Sequence, residues 1–328
     1  MAILVTGGAG YIGSHTVAEL LERGEEVVVI DNLLTGHREA LLGGKLYEGD
    51  LRDKELLGKL FAENEIDAVI HFAASSLVGE SMKDPVKYYD NNVYGTQCLL
   101  EAMQKAGVNK IVFSSTAATY GEPEKVPIEE TDRTEPANVY GETKLTMERM
   151  MAWFDKVLGI KYVALRYFNA AGAHASGKIG EDHRPESHLV PLVLQTALKQ
   201  RESIAVFGDD YPTEDGTCVR DYIHVSDLAD AHVRAVTHLR SGSSSNIFNL
   251  GNGLGFSVKQ VIETAKKVTG LEIPVVIQER RAGDPAVLVA SSDKARSILG
   301  WNPQHADLEN IIQSAWNWHS ANPQGYGE

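Results

Sequence analysis

The chain of 328 residues carries a formal net charge of −14, with 43% hydrophobic and 23% charged residues. This length and composition are typical of a globular protein with one large domain or two. The acidic balance argues against nucleic-acid and anionic-membrane partners, because both bind a basic face. The two cysteines, Cys98 and Cys218, lack metal-ligand spacing and indicate reduced thiols. No secretory signal is recognisable and no apolar run approaches the roughly 18 residues of a membrane span, so we expect a cytoplasmic protein.

The N-terminal segment reads as a strand, a glycine-rich turn, a helix and a second strand that ends just before Asp31. The strand is Ala2–Thr6, the turn Gly7–Gly13 and the helix Ser14–Arg23. Glycines at these positions permit a tight turn and a close backbone approach to a pyrophosphate, which the helix N-terminus would also bind. An acidic residue at the position of Asp31 would bind ribose hydroxyls and repel a 2′-phosphate. The segment therefore predicts a dinucleotide site that prefers NAD to NADP.

Strands and helices continue to alternate as far as Tyr167. Further strands are predicted at Leu46–Glu48, Ala68–Phe72, Lys110–Ser114 and Tyr162–Tyr167, and helices at Glu55–Glu63, at Asp90–Ala106 and from Tyr140 to about Leu158. This alternation predicts an α/β fold with a Rossmann-type, doubly wound parallel sheet. Ligands bind beyond the carboxyl ends of the strands in such sheets. The polar and small residues at these ends are therefore candidate site residues.

Beyond Asn169 the pattern becomes mixed, which predicts a smaller α/β substrate-binding lobe. Helices are expected at Leu189–Arg201 and Val225–Leu239, and strands at Ile204–Gly208, Val219–Val225 and Ile247–Gly251. The lobe is completed by the segments Phe256–Gly270, Val275–Gln278, Ser292–Gly300 and Leu308–Ser320. We expect residues 1–172, with a returning segment of about 222–252, to form the NAD-binding domain. Residues 173–221 and 253–328 would form the substrate-binding lobe.

Tyr140 and Lys144 are the candidate catalytic pair. A spacing of four residues places both side chains on one face of a helix, about one turn apart. A nearby ammonium favours the phenolate, so Lys144 is expected to lower the pKa of Tyr140 and make it a usable base. The same spacing is common for a half-buried tyrosine beside a solvated lysine. The convergence of so many strand ends near this helix, including Ser114–Thr116, favours the catalytic interpretation.

Several motifs resemble those of a known family. Those that resemble the extended short-chain dehydrogenases are Thr6–His15, Tyr88–Val93, Tyr140-x-x-x-Lys144 and Arg166–Asn169. Three more specific segments, Asp210–Thr217, Val219–Val225 and Asn322–Tyr326, resemble the UDP-glucose 4-epimerases within that family. The resemblance extends from about Ile3 to Tyr326, nearly the whole chain.

The resemblance implies reversible 4-epimerisation of UDP-glucose and UDP-galactose with tightly bound NAD. The oxidised cofactor would take a hydride from C4 of the sugar while Tyr140 removes the 4-hydroxyl proton, directly or through Thr116. The 4-keto sugar would then turn and receive the hydride on its other face. Lys144 would hold the nicotinamide-ribose hydroxyls and, with the positive nicotinamide, keep Tyr140 acidic.

The motifs and the resemblance together give two sets of binding residues. The cofactor set is Gly7, Gly10, Tyr11, Ile12, Gly13, Asp31, Asn32, Asp50, Leu51, Phe72, Ala73, Ala74, Asn91, Ser114, Tyr140, Lys144 and Tyr167. The substrate set is Thr116, Tyr140, Asn169, Leu189, Phe207, Arg220, Arg281 and Asp284. Arg220 and Arg281 would clamp the diphosphate, because guanidinium groups pair with phosphate oxygens in a bidentate manner. Asp284 would bind the uridine ribose.

Four positions depart from the family pattern. Thr116 stands where serine is common, and it keeps the hydroxyl. Ser76 replaces a lysine that contacts the cofactor in some members, and Ser187-His188 replaces a pair of asparagines before Leu189. Leu288 stands where residue size decides whether an N-acetyl group is admitted. Since leucine is smaller than the tyrosine of some members, we expect some turnover of UDP-N-acetylglucosamine.

Two other functions are compatible with this scaffold. A nucleotide-sugar dehydratase or decarboxylase is the nearest alternative, but such dehydratases carry an acid pair directly after the catalytic threonine. Here Ala117-Ala118 follows Thr116 and cannot transfer protons. A non-catalytic NAD-binding regulator would typically have lost Tyr140 or Lys144. Both are present.

Two further expectations concern metals and partners. The histidines are scattered without a His-x-x-x-His motif, so no metal site is expected; they include His15, His71, His174, His183, His188, His224 and His232. In the family, two long helices pair with their two-fold copies, so a homodimer is expected through Asp90–Ala106 and Tyr140–Leu158. The pattern of apolar residues on these helices fits either an exposed stripe for this contact or the core; the residues are Leu99, Met103, Met147 and Met151.

Overall fold

The computed structural model describes residues 1–281 and 284–327, within which strands and helices alternate along the first half of the chain. The strands are β1 (Ala2–Thr6), β2 (Val27–Asp31), β3 (Lys45–Glu48), β4 (Ile66–His71), β5 (Lys110–Thr116), β6 (Lys161–Tyr167), β7 (Asn169–Ala171), β8 (Ile204–Phe207), β9 (Val219–Arg220), β10 (Tyr222–His224), β11 (Asn246–Leu250), β12 (Phe256–Ser257), β13 (Val275–Gln278) and β14 (Val287–Leu288). The helices are α1 (Tyr11–Glu22), α2 (Lys54–Glu63), α3 (Val78–Ser81), α4 (Pro85–Tyr88), α5 (Gly95–Ala106), α6 (Val139–Leu158), α7 (Leu189–Ala197), α8 (Val225–Arg240), α9 (Val258–Thr269), α10 (Asp293–Leu299) and α11 (Leu308–Ala321).

Seven parallel strands form the central sheet in the order β11-β6-β5-β4-β1-β2-β3. The chain builds outward from β1 to β3 and then returns to β4 on the other side of β1. A crevice at this reversal of strand order is the usual dinucleotide site of doubly wound sheets. The inner strands are apolar on both faces, as a sheet covered on both sides requires. The predicted Rossmann-type sheet is therefore confirmed.

Helices cover both faces of this sheet. Helices α1, α8 and α10 pack on one face, where Leu20, Leu228 and Trp301 are fully buried. Helices α2, α5 and α6 pack on the other face. The apolar spacing of these helices buries one side of each against the sheet, which is the main stabilising contribution to such a layered fold.

The apolar stripe considered for a dimer contact belongs to this second core. Leu99, Met103 and Met147 are 0% exposed, and Met151 is 1% exposed. Of the two interpretations open for these four residues, the core is therefore the correct one, because they face the sheet beneath α5 and α6. The homodimer stays a prediction. The exposed apolar side chains of the same helices are different ones, among them Trp153 and Val157 of α6.

A separate core joins the elements that follow β6. It contains apolar residues of α7, α9 and α11 together with β8 and β10. One small sheet pairs β13 with β8, and in another β9 lies between β12 and β14. Helix α10 and Trp301 pack instead with the central sheet, although the predicted boundaries assigned them to the smaller lobe. The division into lobes itself stays a prediction.

The helix predicted at Asp90–Ala106 begins differently from the expectation. Residues Tyr89–Tyr94 form a wider π-helical turn, and regular α-helix starts at Gly95. Single π-helical turns often occur at functional sites, because they redirect side chains. Among the described residues, no helix has the length and apolar character that crossing a membrane requires.

A buried ion pair joins α6 to β6. Arg166 donates from Nε and Nη2 to the carboxylate of Glu148, at 2.9 and 2.5 Å. Ser115 of β5 donates to the same carboxylate. Arg166 and Glu148 are each 3% exposed. Such a pair contributes little net stability, but removing one member leaves the other charge buried and unpaired.

We therefore expect Glu148→Gln to lower the free energy of unfolding by about 3–5 kcal/mol. Chemical denaturation of the purified variant would measure this change. Glu101→Gln is the matched control, because Glu101 binds Lys54 and Lys105 on the exposed surface of α5, where ion pairs contribute little. Equal denaturation midpoints for the two variants would contradict the interpretation that Glu148 and Arg166 form a buried ion pair on which stability depends.

Candidate active site

The glycine-rich turn lies between β1 and α1, at the point where the strand order reverses. A Cβ atom on Gly13 would lie 2.2 Å from the carbonyl oxygen of Gly7. Gly7 has φ +69°, and a Cβ there would lie 2.6 Å from the backbone nitrogen of Ala73. The turn thus packs directly on the end of β4. Helix α1 begins at Tyr11, and no side chain of a described residue caps its first turn, so its N–H groups are available to an anion.

Asp31 ends β2 beside this turn. Its carboxylate accepts the N–H of Ala9 at 2.9 Å and the N–H of Leu33 at 2.8 Å. Burial raises the pKa of Asp31, and these two donors oppose that rise. Each carboxylate oxygen retains a lone pair for a hydroxyl donor, while its charge would repel a phosphate. The backbone cradle and this carboxylate together match the requirements of a dinucleotide without a 2′-phosphate.

Asp50, also predicted to contact the cofactor, is engaged with neighbouring side chains. It accepts hydrogen bonds from Arg52 Nε at 2.8 Å, from Arg52 Nη2 at 2.7 Å and from Asn32 Nδ2 at 3.2 Å. The bonds from Arg52 lower the pKa of Asp50 to about 2. Leu51 is 7% exposed, and its side chain belongs to the core beneath α2 and α5.

Small residues line the end of β4, as the sequence predicted. Ala73 lies against Gly7, and Phe72 packs its ring against His232 with centroids 4.6 Å apart. Ala74 is partly buried beside them, and Ser76 is exposed. The remaining turn residue, Ile12, packs against the core beneath α1 and α8.

An asparagine that the sequence analysis did not select holds the β4 loop to α6. Asn92 is 0% exposed, accepts the N–H of Ser75 at 2.7 Å, and donates to the hydroxyl of Thr143 at 3.1 Å. Asn91, which was predicted, donates to the Ser75 hydroxyl at 3.1 Å. The π-helical turn directs both amides toward the same loop. The adjacent pair at the start of the predicted helix was the available sequence signal.

Helix α6 reaches the end of β5 because Gly141 lacks a side chain. A Cβ on Gly141 would lie 2.5 Å from the carbonyl oxygen of Ala118, in the turn that follows Thr116. Asn138 caps the helix by accepting the N–H of Gly141 at 2.9 Å. This close packing brings Tyr140 to Thr116. The Thr116 hydroxyl oxygen also accepts the N–H of Ala118 at 3.2 Å.

Lys144 is buried beneath this contact and is 2% exposed. Its ammonium donates to the carbonyl oxygen of Ser114 at 2.9 Å and lies 4.9 Å from the ring centroid of Phe113. Burial lowers the pKa of Lys144 to about 7, and the charge of Glu148 one turn later opposes this shift. The Ser114 hydroxyl is hydrogen-bonded to the hydroxyl of Tyr167.

The expected lowering of the pKa of Tyr140 is not found. Burial raises the pKa of Tyr140, and a hydrogen bond from Thr116 only partly opposes the rise. The Lys144 ammonium lies 5.9 Å from the Tyr140 ring centroid and is itself buried. For the protein's own groups the predicted direction is therefore wrong, because desolvation of the phenolate has the largest influence on this pKa.

The residues predicted to bind the nucleotide part of the substrate form two contacts at the ends of β8 and β9. Arg220 forms an ion pair with Asp284. The Arg281 guanidinium lies 3.9 Å from the ring centroid of Phe207, so it covers one face of that ring. Leu288 of β14 stands opposite Arg220 in the parallel pairing with β9.

Asn169 and Leu189 occupy separate positions. Asn169 of β7 donates to the backbone oxygen of Asp221 at 3.2 Å, next in the chain to Arg220. Leu189 is the first residue of α7. Asp221, which the sequence analysis did not select, accepts N–H groups from Asn252 at 2.8 Å and from Ala290 at 3.2 Å. This buried carboxylate orders the loops around the β9 end.

Comparison with known proteins places this geometry in a family. The model of the NAD dependent epimerase/dehydratase family matches residues 3–251. The chain belongs to the NAD dependent epimerase/dehydratase family. The resemblance found in the sequence motifs is thereby confirmed.

Individual members of this family are similar over their whole length. A UDP-glucose 4-epimerase of Halalkalibacterium halodurans is 62% identical over 326 residues, which cover 99% of this chain and 98% of the relative. A crystal structure of a UDP-glucose 4-epimerase matches with a TM-score of 0.99 and 56% identity, covering 100% of both chains. The UDP-glucose 4-epimerase of Bifidobacterium longum, solved in complex with NAD+ and UDP, matches with a TM-score of 0.94 and 42% identity, covering 99% of this chain and 100% of that one.

The role of the glycine-rich turn in NAD binding can be tested by a substitution that adds one methyl group. We expect Gly13→Ala to lower NAD affinity at least about tenfold and stability by about 1–3 kcal/mol, because the added carbon overlaps the Gly7 carbonyl. Calorimetric titration with NAD and thermal unfolding would measure the two effects. Gly58→Ala in the exposed part of α2 is the control, since nothing lies within 4 Å of its added carbon. That substitution should leave NAD binding unchanged and raise stability by up to about 1 kcal/mol.

Proposed function

We propose that this chain is an NAD-dependent UDP-glucose 4-epimerase, which interconverts UDP-glucose and UDP-galactose through a 4-keto intermediate. The observation that carries the proposal is the packing of Tyr140 on Thr116 above the buried Lys144, beside a dinucleotide cradle. The relatives that match over the full chain are named as UDP-glucose 4-epimerases, and one was solved with NAD+ and UDP.

The cradle supplies a separate contact for each part of the cofactor. The N-terminus of α1 and the backbone of Gly7–Gly13 would bind the pyrophosphate. Asp31 would accept hydroxyl donors of the adenine ribose, and Lys144 would hold the nicotinamide ribose. When bound, the oxidised nicotinamide supplies a hydride acceptor and a positive charge next to the site.

Tyr140 would take the proton of the sugar 4-hydroxyl and later return it to the same oxygen. Thr116 is placed to relay this proton or to orient the hydroxyl. The protein's own groups keep the Tyr140 proton bound, since burial raises the pKa of Tyr140. Catalysis therefore requires added positive charge near the phenol, which only a charged Lys144 and the oxidised cofactor would provide. Tyr140 would therefore become a base only when the oxidised cofactor is bound.

Arg220 and Arg281 are proposed to bind the diphosphate, and Asp284 the uridine ribose. Arg220 pairs with Asp284, so the substrate would meet a guanidinium whose orientation is already set. Arg281 covers one face of the Phe207 ring, so the uracil would contact only the opposite face. A dehydratase reaction is not supported, because the turn after Thr116 begins with Ala117 and Ala118, which carry no proton-transferring group.

The reaction is tested with UDP-galactose and purified protein, both with no cofactor added and with added NAD+. UDP-glucose should form, and Tyr140→Phe should reduce its formation by about 10²–10⁴-fold. The variant should still bind NAD, since the cradle is unchanged. Tyr162→Phe is the control, because Tyr162 lies at the opposite, amino end of β6. No product from the unmodified protein with NAD+ would refute the proposal, and full activity in Tyr140→Phe would exclude Tyr140 as the base.

The partly exposed Leu288 is proposed to admit a 2-acetamido group on the sugar. We expect measurable epimerisation of UDP-N-acetylglucosamine, and we expect Leu288→Tyr to lower it while UDP-galactose turnover is retained. The ratio of kcat/KM for the two substrates measures this preference. The hypothesis fails if the unmodified protein shows no turnover of UDP-N-acetylglucosamine at concentrations that saturate UDP-glucose epimerisation.

A homodimer and a cytoplasmic location complete the proposal. Trp153 and Val157 are 61% and 69% exposed on α6, and apolar residues at such positions suit a subunit contact. Both cysteines are buried free thiols, which accords with a reducing compartment. The net charge of −14 supports the absence of nucleic-acid and membrane partners.

A further inference from the structure

Four potential metal ligands meet in the loop between β7 and α7. They are Glu181, His183, Glu186 and His188, and one donor atom of each lies within 4.8 Å of all the others. The prediction that no metal site exists rested on the absence of a His-x-x-x-His motif. It overlooked the alternating order Glu-x-His-x-x-Glu-x-His, in which a loop rather than a helix brings the four side chains together.

The histidine–carboxylate distances in the cluster lie near the edge length of a metal-centred tetrahedron. His183 Nδ1 lies 3.2 Å from Glu181 Oε1 and 3.6 Å from Glu186 Oε2. His188 Nδ1 lies 2.8 Å from Glu181 Oε1 and 3.2 Å from Glu186 Oε1. Ligand bonds of about 2.0–2.1 Å around a tetrahedral zinc ion give edges of roughly 3.3 Å. The four histidine–carboxylate separations thus lie near this edge length, and one donor atom of each residue lies within 4.8 Å of the others.

The orientation of the same atoms supports an ion better than a hydrogen-bonded cluster. Glu181 is 3% exposed, yet its Oε1 has no hydrogen-bond partner, and neither has the buried His183 Nδ1. Their separations are short, but the N–H directions do not point at the oxygens. Buried polar atoms are rarely left unpaired, because desolvating them without a partner is unfavourable. Both atoms instead lie within 3.6 Å of other donor atoms of the cluster.

Hydrogen bonds from backbone N–H groups orient one of the ligands, and the cluster is accessible to an ion from solvent. Glu186 Oε1 accepts the N–H groups of Ser187 at 2.7 Å and His188 at 2.8 Å, which orients the carboxylate. A cavity of about 550 Å³ reaches Glu181, His183 and Glu186. The side chain of His188 is 49% exposed. An ion can therefore enter from solvent.

We propose that Glu181, His183, Glu186 and His188 bind one divalent transition-metal ion, with Zn²⁺ the best match. Two imidazoles and two carboxylates are donors that zinc accepts in tetrahedral geometry. Four protein ligands leave no open position, so the site is structural rather than catalytic. The inference is independent of the reaction proposed for the active site.

The ion would stabilise the contact between the glycine-rich turn and α7. The Tyr11 ring, at the start of α1, packs edge-on against His183 with centroids 6.1 Å apart. His188 is the N-cap residue of α7 and directly precedes Leu189. A metal held by this loop thus connects a residue of the glycine turn to the first turn of α7.

The alternative is a metal-free cluster of two imidazolium–carboxylate pairs. Although burial lowers it, the pKa of His183 is raised to about 9 by the carboxylates of Glu181 and Glu186. The same carboxylates raise the pKa of His188 to about 10. Metal binding would displace these protons, so the two states exclude each other. A direct measurement of bound metal separates them.

The test uses the full chain produced without a histidine tag. The protein is dialysed against a chelator, equilibrated with ZnCl₂ and freed of excess metal by gel filtration, and its zinc content is determined by elemental mass spectrometry. We expect one zinc per chain, a higher melting temperature in zinc, and the visible absorption of tetrahedral Co²⁺ when cobalt replaces zinc. A chain that retains no zinc after gel filtration would overturn the proposal.

Two variants and a control localise the metal. Glu181→Gln and His188→Gln should each weaken zinc binding by more than the roughly 10–100-fold that loss of an outer-shell contact costs. His188 is half-exposed, so its variant should fold even if Glu181→Gln does not. His174→Gln removes an imidazole that lies 3.6 Å from Glu22, outside the cluster, and should keep one zinc per chain. Zinc content in His188→Gln equal to that of the unmodified protein would also overturn the proposal.

Discussion

The active site depends on a lysine that is held in the protein interior. An ammonium group with 2% exposure is unfavourable unless the surroundings replace its hydration. Lys144 obtains this from the Ser114 carbonyl and the face of Phe113, and Glu148 supplies a compensating charge. Glu148 is in turn shared with Arg166 of β6. Helix α6, which carries Tyr140 and Lys144, is thereby attached to β5 and β6 by buried polar contacts.

This attachment determines where the chemistry takes place. Because α6 begins at the carboxyl end of β5, its first turn packs on the turn that follows Thr116, and Gly141 removes the side chain that would prevent it. The carboxyl ends of β1, β2 and β4 lie at the same edge of the sheet and form the dinucleotide cradle. The proposed base and the dinucleotide cradle thus come together through sheet topology, although Gly7 and Tyr140 are far apart in the chain.

Much of this could be predicted from local patterns. Apolar runs predicted the central strands, and the glycine spacing together with Asp31 at a strand end predicted the position of the dinucleotide cradle. Predictions failed where three-dimensional surroundings decide a property. Desolvation reversed the expected shift of the Tyr140 pKa. Packing against the sheet decided a question that the sequence left open, because it buries Met103 and Met147. Asn92 was overlooked because only the π-helical turn shows that its amide faces Ser75.

The sequence by itself determined the order of strands and helices, the glycine turn, the Tyr–Lys pair and the alanines that follow Thr116. These are local features, since periodicity, turn chemistry and i to i+4 spacing depend only on neighbouring residues. Tertiary structure alone decided the burial of Lys144 and the pairing of Arg220 with Asp284. Charge–charge distances and desolvation depend on segments that are distant in the chain, so no local pattern encodes them.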